Sequence, residues 1–325
     1  MTKGIKVPKA DGEVARRRLA EMDLLHPRLR ISSDGVSIYM PVLDQSEALR
    51  AVGGMPIEME FRPDLRRLTP EDLLGRRPSF EVIGEIAIVE DDRPEEVASV
   101  LLSLYKNIST VISPISEVVG EYRTRKFEHV AGEVLTKTVF KEHGLSYHVD
   151  LERAYFTQRL GTERLRVAQQ VSPGEAVLDM FAGVGPFSLL CAKMGARVVA
   201  IEKNPVAAKL LRENIRQNRL LEVEVLEGDC REHLSGRRDC ADRTIMNLPH
   251  SASDFLGEAL AASRSGGVVH FYAFTSVDDL FAPESAIQEA AEERGWMAEI
   301  LYRGVVRSYA PRRFNVVLDF RVLKG

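Results

Sequence analysis

The feature that most narrowly limits the fold of this chain is the segment "EAVLDMFAGVGPFSLLCAKMGARVVAIE" at residues 175–202. Its pattern predicts a buried strand ending at Asp179, a turn at Gly183 and Gly185, a helix, and a second strand ending at Glu202. Two strands joined through a helix are typical of a parallel, doubly wound sheet. Because glycine has no Cβ, the turn lets a ligand come close to the free N–H groups of the helix.

The acids of this segment discriminate between two nucleotide cofactors. Glu202 follows Gly183 by 19 residues, a spacing at which a carboxylate can bond both hydroxyls of a ribose. A dinucleotide site needs a third glycine, but Ser188 holds that position. Asp179 would repel a pyrophosphate, whereas it can accept a hydrogen bond from the ammonium of a methionine moiety. The segment therefore favours S-adenosylmethionine over NAD.

Two later strand ends carry polar residues that suit a nucleotide ligand. A third strand is predicted to end at Asp229, whose carboxylate can bond an adenine amino group with the backbone of Cys230 alongside. The alternative for Asp229 is a cap on the next helix. A fourth strand in "RTIMNLPHS" leads to Asn247, and Leu248 and Pro249 are expected to present a stiff backbone with a free carbonyl. Ligands of doubly wound sheets bind outside the carboxyl ends of strands. This segment is therefore expected to bind the amide edge of a nucleobase. The alternative is a plain turn with no ligand.

The end of the chain indicates how the sheet is completed. A fifth strand is predicted in "GGVVHFYAF", and two more in "EILYRGVVRSYAPRRFNVVLDFRVL". A short loop joins the last two strands, so the final one is expected to be antiparallel to its neighbours. Such a terminal hairpin fits a methyltransferase-type sheet better than an all-parallel dinucleotide sheet.

Composition and charge exclude several classes of protein. The three cysteines are too few and too scattered for a disulfide framework or a zinc site. No apolar run reaches the roughly 18 residues that span a bilayer, and the N-terminus lacks an apolar signal core, so a cytoplasmic protein is expected. The net charge of −4 disfavours bulk nucleic-acid binding. Residues 1–30 nevertheless hold eight Lys/Arg against four Asp/Glu, so a local basic footprint remains.

Turn residues and composition predict three domains. Residues 1–48 form a small N-terminal domain with a helix in "EVARRRLAEMDLL" and a hairpin in "RISSDGVSIYMPVL". A glycine pair and prolines predict a linker over 49–59. Residues 60–152 form a middle α+β domain, with one strand in "FEVIGEIAIVE" and a helix in "PEEVASVLLSLYKNI". Residues 153–325 carry the doubly wound sheet.

The chain resembles archaeal-type tRNA (guanine(37)-N1)-methyltransferases over nearly its whole length. The resemblance rests on "GIKVPKADGEVARRRL", "GEYRTRKFEHVAGE", "RAYFTQRLGTERLRV", "VLDMFAGVGPFSLLCAK", "IEKNP", "IMNLP" and "RSYAPRRF". It implies an α/β fold: a class I (Rossmann-like) S-adenosylmethionine-dependent methyltransferase domain with a small N-terminal α+β domain and a middle α+β domain. It also implies transfer of a methyl group to N1 of guanosine 37, and tRNA as the partner, contacted at the anticodon loop and the outer corner.

The resemblance assigns roles residue by residue. Arg123 matches an arginine that bonds O6 of the target guanine, and Glu163 matches a general base for the N1 proton, although a surface arginine and a helix-end acid are the plain alternatives. Tyr155 matches an aromatic residue near the active site, with a core position as the alternative. The implied guanine-holding residues are Asn247 and Pro249. The implied cofactor-binding residues are Arg164, Asp179, Gly183, Gly185, Glu202, Lys203, Asp229, Cys230 and Asn247. His250 departs from the lysine expected at its position.

Three other functions remain open at this point. A related wybutosine-pathway enzyme transfers the aminocarboxypropyl arm of the same cofactor, and "DMFAGVGPFS" suits it equally. An NAD-dependent dehydrogenase is disfavoured by Asp179 and the missing third glycine, and a non-catalytic RNA-binding module by the complete set of acids with Asn247. A monomer that needs neither a metal nor a membrane is expected.

Overall fold

The structure is a computed structural model that describes residues 1–64, 68–118 and 120–325. The chain divides into two compact units. The first comprises Met1–Phe80 and Val89–Ile108, and the second comprises Glu81–Ile88 and Ser109–Gly325. Among the described residues, no helix is both long and apolar enough to span a bilayer.

The first unit contains a four-stranded antiparallel sheet in the order β2-β3-β1-β4. Its strands are β1 (Thr2–Pro8), β2 (Ser32–Ser33), β3 (Ser37–Pro41) and β4 (Met55–Met59). Helices α1 (Gly12–Glu21) and α2 (Gln45–Val52) accompany the sheet. The side chains of Ile5, Leu19, Met40 and Ala48 form the centre of its core. The predicted helix and hairpin of the N-terminal segment are therefore confirmed.

The predicted linker over 49–59 is wrong at residues 55–59. Those residues form β4, which pairs with β1 in the register Gly4↔Ile57. The glycine pair is a tight turn between α2 and β4, with φ of 70° at Gly53 and 96° at Gly54, values that favour glycine. β4 is an edge strand, so one side of its backbone makes no ladder hydrogen bonds. Pro56 is tolerated there because its missing N–H can face that unpaired side.

Two further helices belong to the first unit, α3 (Pro70–Leu74) and α4 (Pro94–Leu104). α4 confirms the helix predicted in "PEEVASVLLSLYKNI". Thr69 caps α3, because its side chain accepts a hydrogen bond from the Asp72 N–H while the Asp72 carboxylate accepts one from the Thr69 N–H. The compact units follow spatial contacts, so the three sequence domains predicted above stay a proposal.

The second unit begins with two small sheets, in the orders β5-β6-β7-β8 and β10-β9. Their strands are β5 (Phe80–Ile83), β6 (Ile86–Val89), β7 (Thr110–Pro114), β8 (Phe127–Gly132), β9 (Lys137–Glu142) and β10 (Leu145–Asp150). "FEVIGEIAIVE" was predicted as one strand and is two, because Gly84 turns the chain with φ of 61°. A Cβ at that position would collide with Thr138 Oγ1 and with the backbone oxygen of Val139, so the turn needs glycine.

The seven-stranded sheet of the second unit has the order β13-β12-β11-β14-β15-β17-β16. Its strands are β11 (Ala176–Asp179), β12 (Arg197–Glu202), β13 (Val223–Glu227), β14 (Ala241–Met246), β15 (Ser263–Ser276), β16 (Met297–Ala310) and β17 (Arg313–Leu323). β11 to β15 are parallel, and β17 runs antiparallel to both β15 and β16. The Rossmann-like fold class and the terminal hairpin are therefore confirmed.

The α-helices of the described part of this unit are α5 (Gly161–Ala168), α6 (Pro186–Lys193), α7 (Pro205–Asn218), α8 (Cys230–Leu234), α9 (Leu256–Ala262) and α10 (Pro283–Glu292). The strand order changes direction at β11, whose neighbours are β12 on one side and β14 on the other. Ligands of such sheets bind at the carboxyl ends of the strands beside this point. The carboxyl end of β11 is Asp179, and Ile245 of β14 is its register partner.

Candidate functional site

The turn after β11 contains two glycines, and the surroundings of their Cα atoms differ. Both have left-handed backbones, with φ of 58° at Gly183 and 93° at Gly185. A Cβ at Gly185 would collide with side chains of Leu189 and Leu211, so this glycine permits close packing against α6 and α7. A Cβ at Gly183 would meet only the Tyr155 carbonyl oxygen, 3.8 Å away. The backbone at Gly183 thus faces open space, where a ligand can approach it.

Glu202 at the end of β12 supports this turn directly. Its Oε2 accepts a hydrogen bond from the Gly183 N–H at 2.6 Å, and its Oε1 accepts one from the Asn204 N–H at 2.7 Å. Burial raises the pKa of the Glu202 carboxyl, against these backbone hydrogen bonds. A carboxylate oxygen accepts more than one hydrogen bond, so each oxygen retains capacity for a hydroxyl of a ligand.

Asp179 at the end of β11 holds a buried oxygen that lacks a partner. Its Oδ2 accepts a hydrogen bond from Ser188 Oγ at 2.6 Å, whereas Oδ1 accepts none within the described residues. Burial, with a contribution from the charge of Glu202, raises the pKa of Asp179 to about 6. A buried acceptor without a donor costs free energy, and a ligand ammonium would satisfy it. The residues present therefore fit the methionine moiety of S-adenosylmethionine.

The third strand end carries the helix cap that was the alternative for Asp229. The carboxylate accepts a hydrogen bond from the Arg231 N–H at 2.9 Å and begins α8. Lys203 Nζ lies 2.8 Å from Asp229 Oδ2 and also pairs with Glu121, and Lys203 lowers the pKa of Asp229. Cys230 is a buried thiol whose pKa burial raises to about 12. The cofactor roles of these residues stay predictions.

The Asn-Leu-Pro segment follows β14, the neighbour of β11. Within the described ranges the Asn247 side-chain amide makes no hydrogen bond, so its acceptor and two donors are available to a ligand. The expectation of a free carbonyl beside it is wrong. Leu248 O accepts a hydrogen bond from the Ser251 N–H at 3.0 Å, and Pro249 O accepts one from the Phe274 N–H at 3.1 Å. A tight turn and the neighbouring strand use these carbonyls.

Arg123 and Tyr155 lie together. The Arg123 guanidinium carbon is 5.5 Å from the centre of the Tyr155 ring, within the range of a cation–π contact. Partial desolvation lowers the pKa of His250, and the positive charge of Arg123 lowers it further. The Tyr155 carbonyl oxygen lies beside Gly183, so the structure brings Arg123 and Tyr155 together next to the glycine turn.

Glu163, the candidate base, is buried in α5 and is held by two residues. Its Oε1 accepts hydrogen bonds from Tyr272 OH at 2.6 Å and from Arg166 Nη2 at 2.7 Å, and its Oε2 accepts one from Arg166 Nε at 2.9 Å. The carboxylate is therefore fixed in one orientation. Oε1 already accepts two hydrogen bonds and Oε2 only one, so Oε2 has the greater capacity for another.

A buried polar chain that the sequence analysis missed extends from Glu163. Arg166 Nη1 donates to Asp319 Oδ2 at 2.6 Å, and His270 Nδ1 lies 2.7 Å from Asp319 Oδ1. Arg243 can only donate, so at 2.7 Å it makes His270 Nε2 the acceptor and leaves the proton on Nδ1. Although burial acts in the opposite direction, hydrogen bonds from His270 and Arg166 lower the pKa of Asp319 to about 2.

Arg164 has a structural task. Its Nε and Nη2 donate to the two carboxylate oxygens of Glu142, both at 2.7 Å, and its Nη1 donates to the Thr157 carbonyl at 3.2 Å. The side chain is fully buried, and such a bidentate pair fixes its geometry. Its predicted contact with the cofactor stays a prediction. Among the described residues, no group of His, Cys, Asp and Glu is suited to hold a metal ion.

Three family models match consecutive parts of the chain. Residues 4–50 match the tRNA methyltransferase 5 N-terminal domain, residues 62–135 the TYW2 N-terminal domain, and residues 138–298 the TRM5/TYW2 methyltransferase domain. The chain is 39% identical to the tRNA (guanine(37)-N(1))-methyltransferase Trm5b of Pyrococcus abyssi, over 99% of both chains.

Solved structures similar to this one include a Trm5 and a TYW2. The archaeal Trm5 solved in complex with tRNALeu superimposes with a TM-score of 0.79 at 31% identity, over 99% of both chains. The Methanocaldococcus jannaschii TYW2 solved in complex with AdoMet superimposes with a TM-score of 0.60 at 26% identity. That second similarity covers 76% of this chain and 100% of the other. The similarity to Trm5 proteins thus extends over a larger part of the chain.

Proposed function

The chain belongs to the archaeal-type tRNA (guanine(37)-N1)-methyltransferase family, and from this premise we propose that it methylates N1 of guanosine 37 in the anticodon loop of tRNA. One structural observation carries the proposal. Asp179, with its unpartnered buried oxygen, and Asn247, with its unengaged amide, follow neighbouring strands at the same edge of the sheet. A cofactor and a nucleobase held at these two positions would therefore be adjacent.

S-adenosylmethionine is the cofactor, and it supplies an electrophilic methyl group on a positively charged sulfur. Asp179 would hold its ammonium, the open backbone of Gly183 would lie against it, and Glu202 would accept from its ribose hydroxyls. Asp229, Cys230 and Lys203 are proposed for the adenine end. The hydrogen bonds that Glu202 makes with the turn hold these groups in place before any ligand binds.

Replacing Glu202 with alanine is expected to weaken cofactor binding by about 10- to 150-fold, the worth of a charge-assisted hydrogen bond of roughly 1.5–3 kcal/mol. The variant loses the ribose acceptor and also the acceptor for the Gly183 N–H. Titration of the cofactor against both proteins, by calorimetry or fluorescence, measures the difference.

Glu227→Ala is the matched control for this prediction. Glu227 is the register partner of Glu202 and ends the adjacent strand β13, but its exposed carboxylate pairs with Arg212 and makes no hydrogen bond to the glycine turn. The control should bind the cofactor as the parent does. Equal affinity of Glu202→Ala and the parent would remove Glu202 from the site.

Different residues are proposed to bind different parts of the target guanine. Arg123 is proposed to bond O6 of guanine and to stabilise the negative charge that develops when N1 loses its proton. Asn247 would hold the amide edge of the base with its side-chain amide, and Pro249 would assist with the second lone pair of its carbonyl oxygen, which the Phe274 N–H leaves available. Tyr155 would keep Arg123 in position. An anticodon loop is single-stranded, so turning a base out of it costs less than opening a duplex.

Glu163 is proposed to take the proton from N1. Guanine N1–H is too weak an acid to ionise freely at neutral pH, so a positioned carboxylate assists the reaction. Oε2 is the oxygen assigned to this step, because Oε1 already accepts from Tyr272 and Arg166. The proton would pass from N1 to Oε2, and the electron pair left on N1 would form the bond to the methyl carbon. The methyl–sulfur bond would break with its electrons returning to sulfur, so that S-adenosylhomocysteine is the leaving group.

The test of the function is incubation with labelled S-adenosylmethionine and unmodified tRNA, followed by mass analysis of the nucleosides. N1-methylguanosine at position 37 supports the proposal. The wybutosine-pathway reaction is tested in parallel with tRNA that carries 4-demethylwyosine and with S-adenosylmethionine labelled in its methionine chain, because relatives that transfer the aminocarboxypropyl group are named for that nucleoside. An aminocarboxypropyl adduct there would identify that reaction, and the absence of labelled nucleoside from both incubations would contradict both. The match of residues 4–50 to the Trm5 N-terminal domain supports the methyl product.

The basic N-terminal segment is proposed to contact the outer corner of tRNA. Lys9 and Arg17 are exposed on the first unit, and residues 1–30 carry a surplus of four positive charges. Charge reversal at both positions should lower the affinity for full-length tRNA about tenfold or more at low salt, because phosphate contacts are electrostatic. Filter binding across a salt series would also show a slope reduced by about two.

Activity on an isolated anticodon stem-loop is the control for this prediction, because that RNA has no outer corner. The double variant and the parent should methylate it equally. Charge reversal is a cleaner change than truncation at residue 50, which would remove β1 and leave β4 without its partner. Unchanged affinity for full-length tRNA would make the segment a structural extension. A monomeric state and a cytoplasmic location remain part of the proposal.

A further inference from the structure

Three aromatic side chains from separate elements meet beside the Asn-Leu-Pro segment. His250 follows that segment, Phe274 lies in β15, and Tyr309 lies in β16. The ring centres of Phe274 and Tyr309 are 4.1 Å apart with planes 33° from parallel. The His250 ring stands edge-on to both, at 4.5 Å from Phe274 and 6.0 Å from Tyr309. We call these three rings the aromatic platform.

The aromatic platform is joined to the residues proposed to hold the target guanine. Pro249 O accepts a hydrogen bond from the Phe274 N–H at 3.1 Å, which fixes β15 against the Asn-Leu-Pro segment. The aromatic platform therefore begins one residue after Pro249 and includes the exposed rings of His250 and Tyr309.

The rings are not buried as core residues are. His250 is exposed, Tyr309 is 44% exposed, and Phe274 is half-buried between them. Exposed apolar surface of this kind commonly marks a binding site. Three arginines, Arg307, Arg312 and Arg313, flank Tyr309 in the sequence, and two of them are exposed. Proteins commonly bind single-stranded nucleic acid with aromatic rings that stack on bases and nearby basic residues that attract the backbone.

We propose that the aromatic platform stacks a nucleobase directly adjacent to the target guanine in the anticodon loop. This inference rests on the proposed function and names a further part of the same site. A target base that leaves the loop loses its stacking on both neighbours, and an aromatic surface can replace one of those contacts. Because every base has a π-face, such stacking would position the loop without selecting its sequence.

The test uses Tyr309→Ala, Tyr309→Phe and a control, Leu301→Ala. Leu301 lies in the same strand and is 42% exposed, so its removal tests the loss of exposed apolar surface alone. Anticodon stem-loops carry 2-aminopurine on the 5′ side, on the 3′ side or in place of the target guanine. The fluorescence of 2-aminopurine is quenched when the base stacks, so it reports the contact without requiring turnover.

At one of the two flanking positions, the loop bound to the parent should be more quenched than the loop bound to Tyr309→Ala. Tyr309→Phe should keep the quenching, and Leu301→Ala should leave it unchanged. The dissociation constant of the stem-loop should rise by about 5- to 150-fold in Tyr309→Ala and stay near the parent's in Tyr309→Phe.

Two results would overturn the inference. One is a fluorescence change between parent and Tyr309→Ala that occurs at the target position alone, and the other is an equal change in Leu301→Ala. Failure of the proposed function is a separate result, because it would appear as the absence of N1-methylguanosine from tRNA incubated with the parent. The flanking-base fluorescence would still decide whether the aromatic platform stacks RNA.

Discussion

Replacing Glu163 with glutamine is expected to lower the single-turnover rate of methyl transfer by about 10²- to 10⁴-fold, the usual contribution of a general base. Glutamine keeps the size of the side chain but cannot take a proton at N1. Rapid-quench measurement at saturating tRNA and cofactor isolates this step. Affinity for both substrates should change little, because Glu163 acts on the proton that moves during the reaction.

The buried partners of Glu163 make a structural control necessary. Glutamine places an amide N–H₂ group against Arg166, which loses part of its ion pair, so the thermal midpoint of the variant must be measured as well. Tyr272→Phe removes one hydrogen bond to Glu163 and keeps the carboxylate. Its rate should fall by less than about tenfold, in keeping with roughly 1 kcal/mol for one hydrogen bond.

The comparison of the two variants decides what Glu163 does. Rates reduced equally in Glu163→Gln and Tyr272→Phe would mean that the carboxylate only supports the buried polar chain. A single-turnover rate of Glu163→Gln equal to that of the parent would exclude a base at this position altogether.

The cofactor side of the site was predictable because its signals are local. Asp179, Gly183 and Glu202 all lie in one strand–turn–helix–strand segment, and the doubly wound topology brings its strand ends to one edge. Glycines in a turn and an acid at the end of an apolar run can be recognised directly in a sequence. The structure adds what a sequence does not show, namely that Asp179 Oδ1 is buried without a donor.

The polar chain around Glu163 was not predictable in the same way. Arg166 is three residues away in α5, a spacing visible in the sequence, but Tyr272 and Asp319 come from β15 and β17. Their positions depend on the order of strands far along the chain. The aromatic platform was missed for the same reason, since His250, Phe274 and Tyr309 come from three separate elements.

The errors in the first half of the chain arise from glycine and proline. Both residues indicate turns, and the sequence around Gly53 and Pro56 was therefore interpreted as a linker. Only the pairing of β4 with β1 shows that Pro56 lies in an edge strand, where its missing N–H costs no ladder bond. At Gly84 the opposite error occurred, because an apolar run hid a turn that splits it into β5 and β6.

Asp179→Asn is expected to stabilise the cofactor-free protein at pH 8 while weakening its affinity for S-adenosylmethionine. The native pKa of Asp179 is raised to about 6, whereas an unfolded aspartate has a pKa near 3.9. Between these values the unfolded chain has lost the proton and the native protein has kept it. Stability therefore falls as the pH rises from about 4 to about 6, by on the order of 3 kcal/mol.

Asparagine removes that loss because it does not ionise, and its carbonyl can still accept from Ser188. The variant should be more stable than the parent at pH 8, and its advantage should shrink as the pH falls towards 4. Denaturant unfolding at several pH values measures the difference. Affinity for the cofactor should fall by about 10- to 150-fold, because the ammonium loses a charged acceptor.

Asp242→Asn at the opposite end of the same pair of strands is the matched control. The Asp242 carboxylate accepts from the Ala176 N–H at 2.8 Å and pairs with Arg264, and although burial opposes them, these contacts lower its pKa. Neutralising Asp242 should therefore destabilise the protein above pH 4 and leave cofactor affinity unchanged.

A parent whose stability does not decline between pH 4 and 6 relative to Asp179→Asn would contradict the raised pKa of Asp179. Equal cofactor affinity of Asp179→Asn and the parent would place the ammonium elsewhere. The expected result is that Asp179→Asn is more stable than the parent at pH 8 and Asp242→Asn is less stable. Together with the loss of cofactor affinity in Asp179→Asn, it would show that Asp179 lowers the stability of the free protein and serves the binding of a cationic ligand.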